Sequence, residues 1–228
     1  SDIENYLTHH KIFRSRILKQ FNDYREEWRK LANHDNPLTF DQSEAFMAIA
    51  SVSSFAVLLI DQINEHRSYL KSQARGKVYQ PAQQLSVPLR ADLLSKTVGL
   101  VQQFCASHAP LNDFSAKYTE QQLIAAVQGF LSSVAPELSV MLQGNLPLNN
   151  KYRAALIIIR GREKVLFELK HSAINENQQK LLFQTQRDMS ENGIRYGILL
   201  CCSKQYPTVK VEERPIDSIR GKLVVCSS

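Results

Sequence analysis

Two charged residues near the end of an apolar segment are the part of this sequence best suited to chemistry. Glu168 and Lys170 belong to residues 164–170, an otherwise largely apolar run. In a β-strand both would point to one face, with Phe167 and Leu169 on the other. A buried charge without a partner is costly, so the pair needs an explanation. A divalent cation bound by Glu168 provides one, with Lys170 orienting a metal-bound water or stabilising charge on a phosphate.

The order of the surrounding elements decides between this interpretation and a simpler one, a strand end whose polar face meets solvent. From residue 119 the pattern predicts helix, strand, strand, strand, helix and strand. A short turn at residues 160–163, which contains Gly161, joins two of the strands into a hairpin. The predicted helices are 119–134 and 175–191, the strands are 138–142, 154–159, 164–170 and 196–202, and edge strands are expected at 209–212 and 223–226.

This series, with Glu168 and Lys170 on its third strand, resembles the PD-(D/E)xK nuclease superfamily over residues 117–204. The resemblance implies an α+β or α/β fold, with a restriction-endonuclease-like αβββαβ core around a mixed central sheet. It also implies metal-dependent hydrolysis of phosphodiester bonds in nucleic acid, with DNA favoured over RNA. The cofactor would be Mg²⁺ or Mn²⁺.

One position departs from the family pattern. In the family an acidic residue, usually aspartate, begins the strand before the Glu-x-Lys strand and shares the metal with the glutamate, and here that position falls on Ala155. Either Ala155 is a substitution that inactivates an enzyme, or the domain is a natural non-catalytic module that binds nucleic acid or a partner protein. We favour the first, because Glu168 and Lys170 are intact. In both cases activity in this chain is expected to be close to nil.

The resemblance also suggests further site residues. Glu120, in the first turn of the helix at 119–134, matches an additional acidic ligand, although a carboxylate there also interacts favourably with the helix dipole. A glutamine on the helix at 175–191 reaches the site in some branches, which points to Gln184 or Gln179. The expected catalytic set is therefore Glu168, Lys170, Glu120, Gln184 and position 155, of which Glu168, Glu120 and position 155 would bind metal.

Positive charge is concentrated in the last third of the chain. Residues 1–150 carry 14 Lys and Arg against 14 Asp and Glu, whereas residues 151–228 carry 14 against 8. This bias favours a polyanionic partner for the C-terminal part, although a solvated basic surface without a partner is the alternative. The candidate nucleic-acid contacts are Arg153, Arg160, Arg162, Lys164, His171 and Arg187.

The N-terminal half reads as helical, which suggests a helical region at 1–112 and a nuclease-like domain at 113–228. Helices are predicted at 4–33, from about 39 to 71, and at 88–107, where Asp92 reads as a helix start. The middle of the second helix is apolar on most sides and is expected to be buried among other helices. We expect this region to bind a partner, to position substrate, or to form a homodimer.

The sequence suggests an intracellular, cytoplasmic protein without a membrane association. The start is acidic and polar, unlike a signal peptide. The most apolar stretch, residues 54–60, is much shorter than the roughly 20 residues that span a bilayer. The four cysteines, Cys105, Cys201, Cys202 and Cys226, show no zinc-ligand spacing. Cys201 and Cys202 lie in an apolar run and are expected to be small buried residues in a reduced compartment.

Overall fold

A computed structural model describes residues 15–32, 42–79, 92–108, 118–142, 155–171, 178–202, 210–216 and 221–227, and within them the chain forms five helices and six strands. The helices are α1 (Ser15–Ala32), α2 (Gln42–Tyr79), α3 (Leu93–Ser107), α4 (Glu120–Val134) and α5 (Gln178–Glu191). The strands are β1 (Ser139–Leu142), β2 (Ala155–Arg160), β3 (Glu163–His171), β4 (Tyr196–Cys202), β5 (Lys210–Ile216) and β6 (Gly221–Ser227). The predicted α+β class is confirmed.

The chain divides into two compact units, Ser1–Arg67 and Ser68–Ser228. The sequence-based division lay further on, between residues 112 and 113. In the second unit α3 packs against β3, β4 and α4, so this helix contributes to the core that contains the sheet.

In the first unit the middle of α2 is largely exposed, and the prediction that it is buried among other helices is wrong for the described residues. Side chains such as Phe46 and Ile49 are 70% and 67% exposed. Among the described residues, α1 packs against one side of α2. Phe21 of α1 stacks on Phe55 of α2 with ring centroids 6.1 Å apart. A single helix covers one face of its neighbour, so the other faces stay open.

By length and composition α2 is also able to cross a membrane, within Ala45–Val78, and only 6% of its most apolar window is buried. The sequence-based estimate considered only residues 54–60 and missed this, because the apolar region extends in both directions along one continuous helix.

The six strands form one mixed sheet in the order β1-β2-β3-β4-β6-β5. The pairs β1/β2, β2/β3 and β5/β6 are antiparallel, whereas β3/β4 and β4/β6 are parallel. The predicted order of helix, three strands, helix and strand from residue 119 is therefore present in the described residues. The prediction of an edge strand at 223–226 is wrong: β6 lies inside the sheet, because β5 pairs along its outer side.

Both faces of the sheet are covered by helices. On one face α3 and α4 pack against alternating strand residues such as Leu156, Phe167 and Leu169. On the other face α5 packs through Leu182 and Met189. The helices are well defined by their caps: Asp92 accepts a hydrogen bond from the Ser95 amide at 2.7 Å, which confirms the predicted helix start, and Thr119 forms a capping box with Gln122.

The C-terminal part of α2 lies very close to α4 within the second unit. A Cβ atom on Gly129 would be 2.2 Å from the backbone oxygen of Tyr69, and one on Gly76 would be 1.9 Å from Ser133 Oγ. The atoms that oppose Gly129 are backbone, so glycine there permits an approach that a larger residue would prevent, whereas the Ser133 hydroxyl beside Gly76 belongs to a side chain that can rotate.

His108 joins the same elements through a buried polar contact. Its Nε2 is 3.1 Å from Ser72 Oγ, and its Nδ1 is 3.0 Å from the Phe104 carbonyl oxygen. A neutral ring protonated at Nδ1 donates to that carbonyl and accepts from the serine hydroxyl. The pKa of His108 is lowered to about 4, mainly by burial and to a smaller extent by the positive charges of Arg75 and Lys71, while the hydrogen bond to the Phe104 carbonyl acts in the opposite direction.

This burial predicts a loss of stability in mild acid. The unfolded chain takes up the His108 proton near pH 6.5, whereas the folded chain does so only near pH 4. The contribution is complete above about pH 6.5 and is lost as the pH falls towards 4, by up to roughly 3 kcal/mol. Urea unfolding at pH 7 and pH 5 should show the wild type losing more stability than His108→Asn. Equal losses would contradict the assignment.

Candidate functional site

The hydrogen-bond register between β2 and β3 determines which side chains meet at the end of the hairpin. The two strands pair antiparallel, and Ala155 lies directly opposite Glu168. Residues opposite each other in an antiparallel pair point to the same face, with Cβ atoms about 5 Å apart. The position where the family pattern expects an aspartate is therefore the cross-strand neighbour of Glu168.

Glu168 is a buried carboxylate on the face of the sheet covered by α5. Its side chain is 3% exposed, and Ala155 is 1% exposed. Thr185 of α5 is completely buried, and its hydroxyl donates a hydrogen bond to Glu168 Oε2 at 2.7 Å. This charge-assisted bond fixes the carboxylate relative to the helix.

Thr185 was not among the residues predicted for the site. The helix carries Leu182, Thr185 and Met189 at spacings of three and four, and all three are buried. A hydroxyl residue within an otherwise apolar inward-facing row was a usable signal, because a buried hydroxyl requires a partner.

Lys170 and Glu120 meet at the same end of β3. Lys170 Nζ lies 3.4 Å from Glu120 Oε2, and both side chains are mostly buried. Glu120 stands in the first turn of α4, where a carboxylate also interacts favourably with the helix dipole. This position agrees with the helix-dipole interpretation of Glu120, and its role as a metal ligand stays a prediction. Through Lys170, Glu120 lies at the end of β3 that also carries Glu168.

Four other residues predicted for the site are two glutamines and two basic residues, and the structure describes the side chain of only one of them. Gln184 is exposed on α5, one position before the threonine that contacts Glu168. Gln179 lies in α5 and His171 ends β3, but their side chains are outside the described residues. Arg153 is also outside the described part of the chain.

Three of the other predicted phosphate contacts lie away from Glu168. Arg160, Arg162 and Lys164 surround the β2–β3 turn, about 17 Å along the strand from Ala155. Arg160 forms an ion pair with Glu163 at 2.8 Å. Arg187 projects from α5 and pairs with Glu191 at 2.6 Å. Arg160, Arg162 and Lys164 would therefore contact nucleic acid at a distance from the Glu168 carboxylate.

The donor set fits a divalent cation only in part. Mg²⁺ is commonly held by one or two carboxylates together with water and substrate phosphates. Glu168 provides a buried carboxylate, and Glu120 contributes one that is paired with Lys170, but Ala155 leaves the position opposite Glu168 without a ligand. Across the described ranges there is no group of three or more His, Cys, Asp or Glu side chains that could hold a metal. The cross-strand carboxylate is the missing part.

The cysteines do not contribute to the site. All four are buried and free, which confirms the burial predicted for Cys201 and Cys202. Burial raises the pKa of the Cys201 thiol to about 11 and that of Cys226 to about 12, so both remain protonated at neutral pH. They act as small apolar residues in the core.

Comparisons with protein-family models, with curated proteins and with solved structures gave no match, so the interpretation of this site depends on its own geometry.

The contact between Thr185 and Glu168 predicts the effect of removing the hydroxyl. Thr185→Val keeps the shape of the side chain but takes a hydrogen bond from a buried carboxylate, which should lower the free energy of unfolding by about 1.5–3 kcal/mol. Thr185→Ser retains the hydroxyl and should lose less. Urea unfolding measures both, and adding Glu168→Gln should reduce the penalty of Thr185→Val. A fully stable Thr185→Val variant would show that the bond contributes nothing.

Proposed function

We propose that this chain is the inactive form of a divalent-metal-dependent nuclease of the PD-(D/E)xK type, in which Ala155 stands where the active form has an aspartate. The substrate is nucleic acid, and DNA is favoured over RNA. The observation that carries the proposal is the register of β2 and β3, since it makes position 155 the cross-strand neighbour of Glu168. This is the relation that the resemblance requires of the two metal-binding carboxylates.

The order of elements supports the same proposal. The helix α4, the strands β1 to β3, the helix α5 and the strand β4 follow one another in the αβββαβ order, with β4 parallel to β3. We take this arrangement as a restriction-endonuclease-like core.

The side chains at this end have complementary roles in the proposed reaction. An aspartate at position 155 and Glu168 would hold Mg²⁺ or Mn²⁺, which supplies positive charge to the phosphate and activates water. Thr185 would hold Glu168 in place through its hydroxyl. Lys170 would orient the attacking water or donate a hydrogen bond to the phosphate oxygen that gains charge. Glu120 holds the Lys170 ammonium at this end of the strand.

The basic bias of residues 151–228 supplies the attraction to nucleic acid. Such charge acts on the phosphate backbone over several ångströms and depends strongly on salt. Two of these positive charges are paired with carboxylates of the protein itself: Arg160 with Glu163 and Arg187 with Glu191. Sequence-independent attraction is therefore the expected contribution of this surface.

Restoring the carboxylate should restore cleavage. Ala155→Asp is expected to cut plasmid, linear duplex, single-stranded DNA or RNA in the presence of Mg²⁺ or Mn²⁺, measured on gels with each substrate. The wild-type chain, purified identically, should stay at background and so controls for contaminating nucleases. Removal of the metal with EDTA should abolish the activity.

Two further variants make this test specific to the site. Ala155→Asn has nearly the same size as the aspartate variant but lacks the charge, and it should remain inactive. Ala155→Asp combined with Lys170→Met should lose most of the restored rate. If Ala155→Asp keeps the fold and cleaves none of the four substrates, the enzyme proposal fails.

Metal binding can be tested without relying on activity. Ala155→Asp places a second carboxylate in a buried position opposite Glu168, so without metal the free energy of unfolding should fall by about 2 kcal/mol or more. A divalent cation at 100 times its dissociation constant should restore about 2.7 kcal/mol. Thermal unfolding with and without Mn²⁺ should therefore show a shift for Ala155→Asp that is much smaller for wild type and for Ala155→Asn. Equal shifts would argue against a site at position 155.

Ala155 itself favours a second function, a natural non-catalytic module of the same fold. Its methyl group packs with Ile157, Leu166 and Leu199 in a continuous apolar cluster. Such a module would bind nucleic acid or a partner protein without cleaving it. A folded, inactive Ala155→Asp that still binds duplex DNA would support this alternative.

A further inference from the structure

The first part of α2 carries two rows of residues at alternating spacings of three and four. One row consists of Ala48, Ser51, Phe55, Leu58 and Gln62, all of which are partly or fully buried. It faces α1, where Phe21 and Tyr24 pack against Phe55, each with ring centroids 6.1 Å apart. This row is the seam between the two helices of the first unit.

The second row lies on another side of α2 and is exposed along its whole length. We name it the outer seam, and it consists of Phe46, Ile49, Ser53, Ala56, Ile60 and Ile63. Val52 and Val57 flank it and are 52% and 59% exposed. Spacings of three and four are those of helix pairs that pack knobs into holes. The outer seam therefore has the pattern of a helix–helix interface but faces solvent in the single chain.

We propose that the outer seam docks a second copy of this chain, so that two α2 helices pair in a homodimer. The surface is suited to contact its own copy, because residues 45–60 contain no charged side chain that would face a like charge across a twofold axis. Ser53 and Ala56 lie in the middle of the seam, and their small side chains allow the two helices to approach closely.

The exposed apolar area is sufficient for such a dimer. Six large side chains of the seam and its flanks are between 39% and 70% exposed, namely Phe46, Ile49, Val52, Val57, Ile60 and Ile63. At roughly 100 Å² each they would remove about 1,200 Å² from water over both copies, the lower limit of specific interfaces. Pairing two α1–α2 hairpins would give a four-helix arrangement in which the charged residues of α1 remain in water.

A lipid bilayer is the competing occupant, and the position of α1 argues against it. Phe21 and Tyr24 contact Phe55, in the middle of the uncharged segment. Lys19, Asp23 and Arg25 lie within about one turn of them on α1. Insertion of α2 with α1 packed beside it would carry those charges into hydrocarbon, at a high energetic cost.

Sedimentation of the full chain in detergent-free buffer tests the proposal through a pair of matched variants. The wild type should sediment with twice the chain mass of 26.0 kDa. Ile49→Glu puts a charge in the outer seam and should give a monomer with an unchanged circular dichroism spectrum. Met47→Glu is the control, because Met47 is 64% exposed against 67% for Ile49 but lies outside the seam. It should remain dimeric.

Two adjacent serines give a second test that does not depend on a destabilising charge. Ser53 belongs to the outer seam, whereas Ser54 is exposed next to it and points away. Because the four natural cysteines are buried, mild oxidation should join chains only through an introduced thiol. Ser53→Cys should form a disulfide-linked dimer much faster than Ser54→Cys, in either relative direction of the helices, since Ser53 is near the middle of the seam.

Three results would overturn the proposal. A wild-type chain that sediments as a monomer at every concentration excludes the dimer, and equal cross-linking of Ser53→Cys and Ser54→Cys excludes this seam as its contact. Flotation of the wild type with phosphatidylcholine and phosphatidylglycerol vesicles, abolished by Ile49→Glu, would assign the seam to a bilayer instead. None of these readouts requires nuclease activity, so the inference and the proposed function can fail separately.

Discussion

The antiparallel register of β2 and β3 is the constraint on which the candidate site depends. Because side chains alternate along a strand, a shift of one residue would move Glu168 to the face covered by α3 and α4. The apolar residues on both faces of these strands prevent such a shift, because it would turn each of their side chains to the opposite face of the sheet. The core thus fixes the chemistry indirectly, by fixing which residue stands opposite Glu168.

The charges at this end of the sheet are arranged so that each has a partner from another element. Glu168 is bonded by Thr185 from α5, and Lys170 is paired with Glu120 from α4. These contacts tie the helices of both faces to the same strand, at the point where the strand leaves the core. A carboxylate at position 155 would add a further charge in this confined space, and a cation is the natural means of balancing it.

The helix α2 serves the two compact units in different ways. Its last part lies so close to α4 that glycine is required at position 129, and the buried contact between Ser72 and His108 adds a polar connection. Its first part presents one row of residues to α1 and a second to solvent. A helix that is apolar on most sides is stable in water only when something covers it, which is why the exposed row points to a second copy of the chain.

Sequence patterns alone determined the elements of the second unit, because these depend on local rules. Alternation and β-branched runs gave β2, β3 and β4, and the cap residues Asp92 and Thr119 marked the starts of two helices. The pair Glu168 and Lys170 was recognised for the same reason, since a spacing of two assigns both to one face.

Only the tertiary structure shows which side chains of different elements are in contact. The contact of Thr185 with Glu168 could not be read from spacing, because it joins residues of a helix and a strand through a particular rotation of the helix. The sequence also could not place β6 inside the sheet, since strand order follows from long-range pairing. The apolar pattern of α2 was correctly recognised, but whether such a helix is buried depends on its neighbours. Among the residues that the structure describes, α1 packs on one side of it.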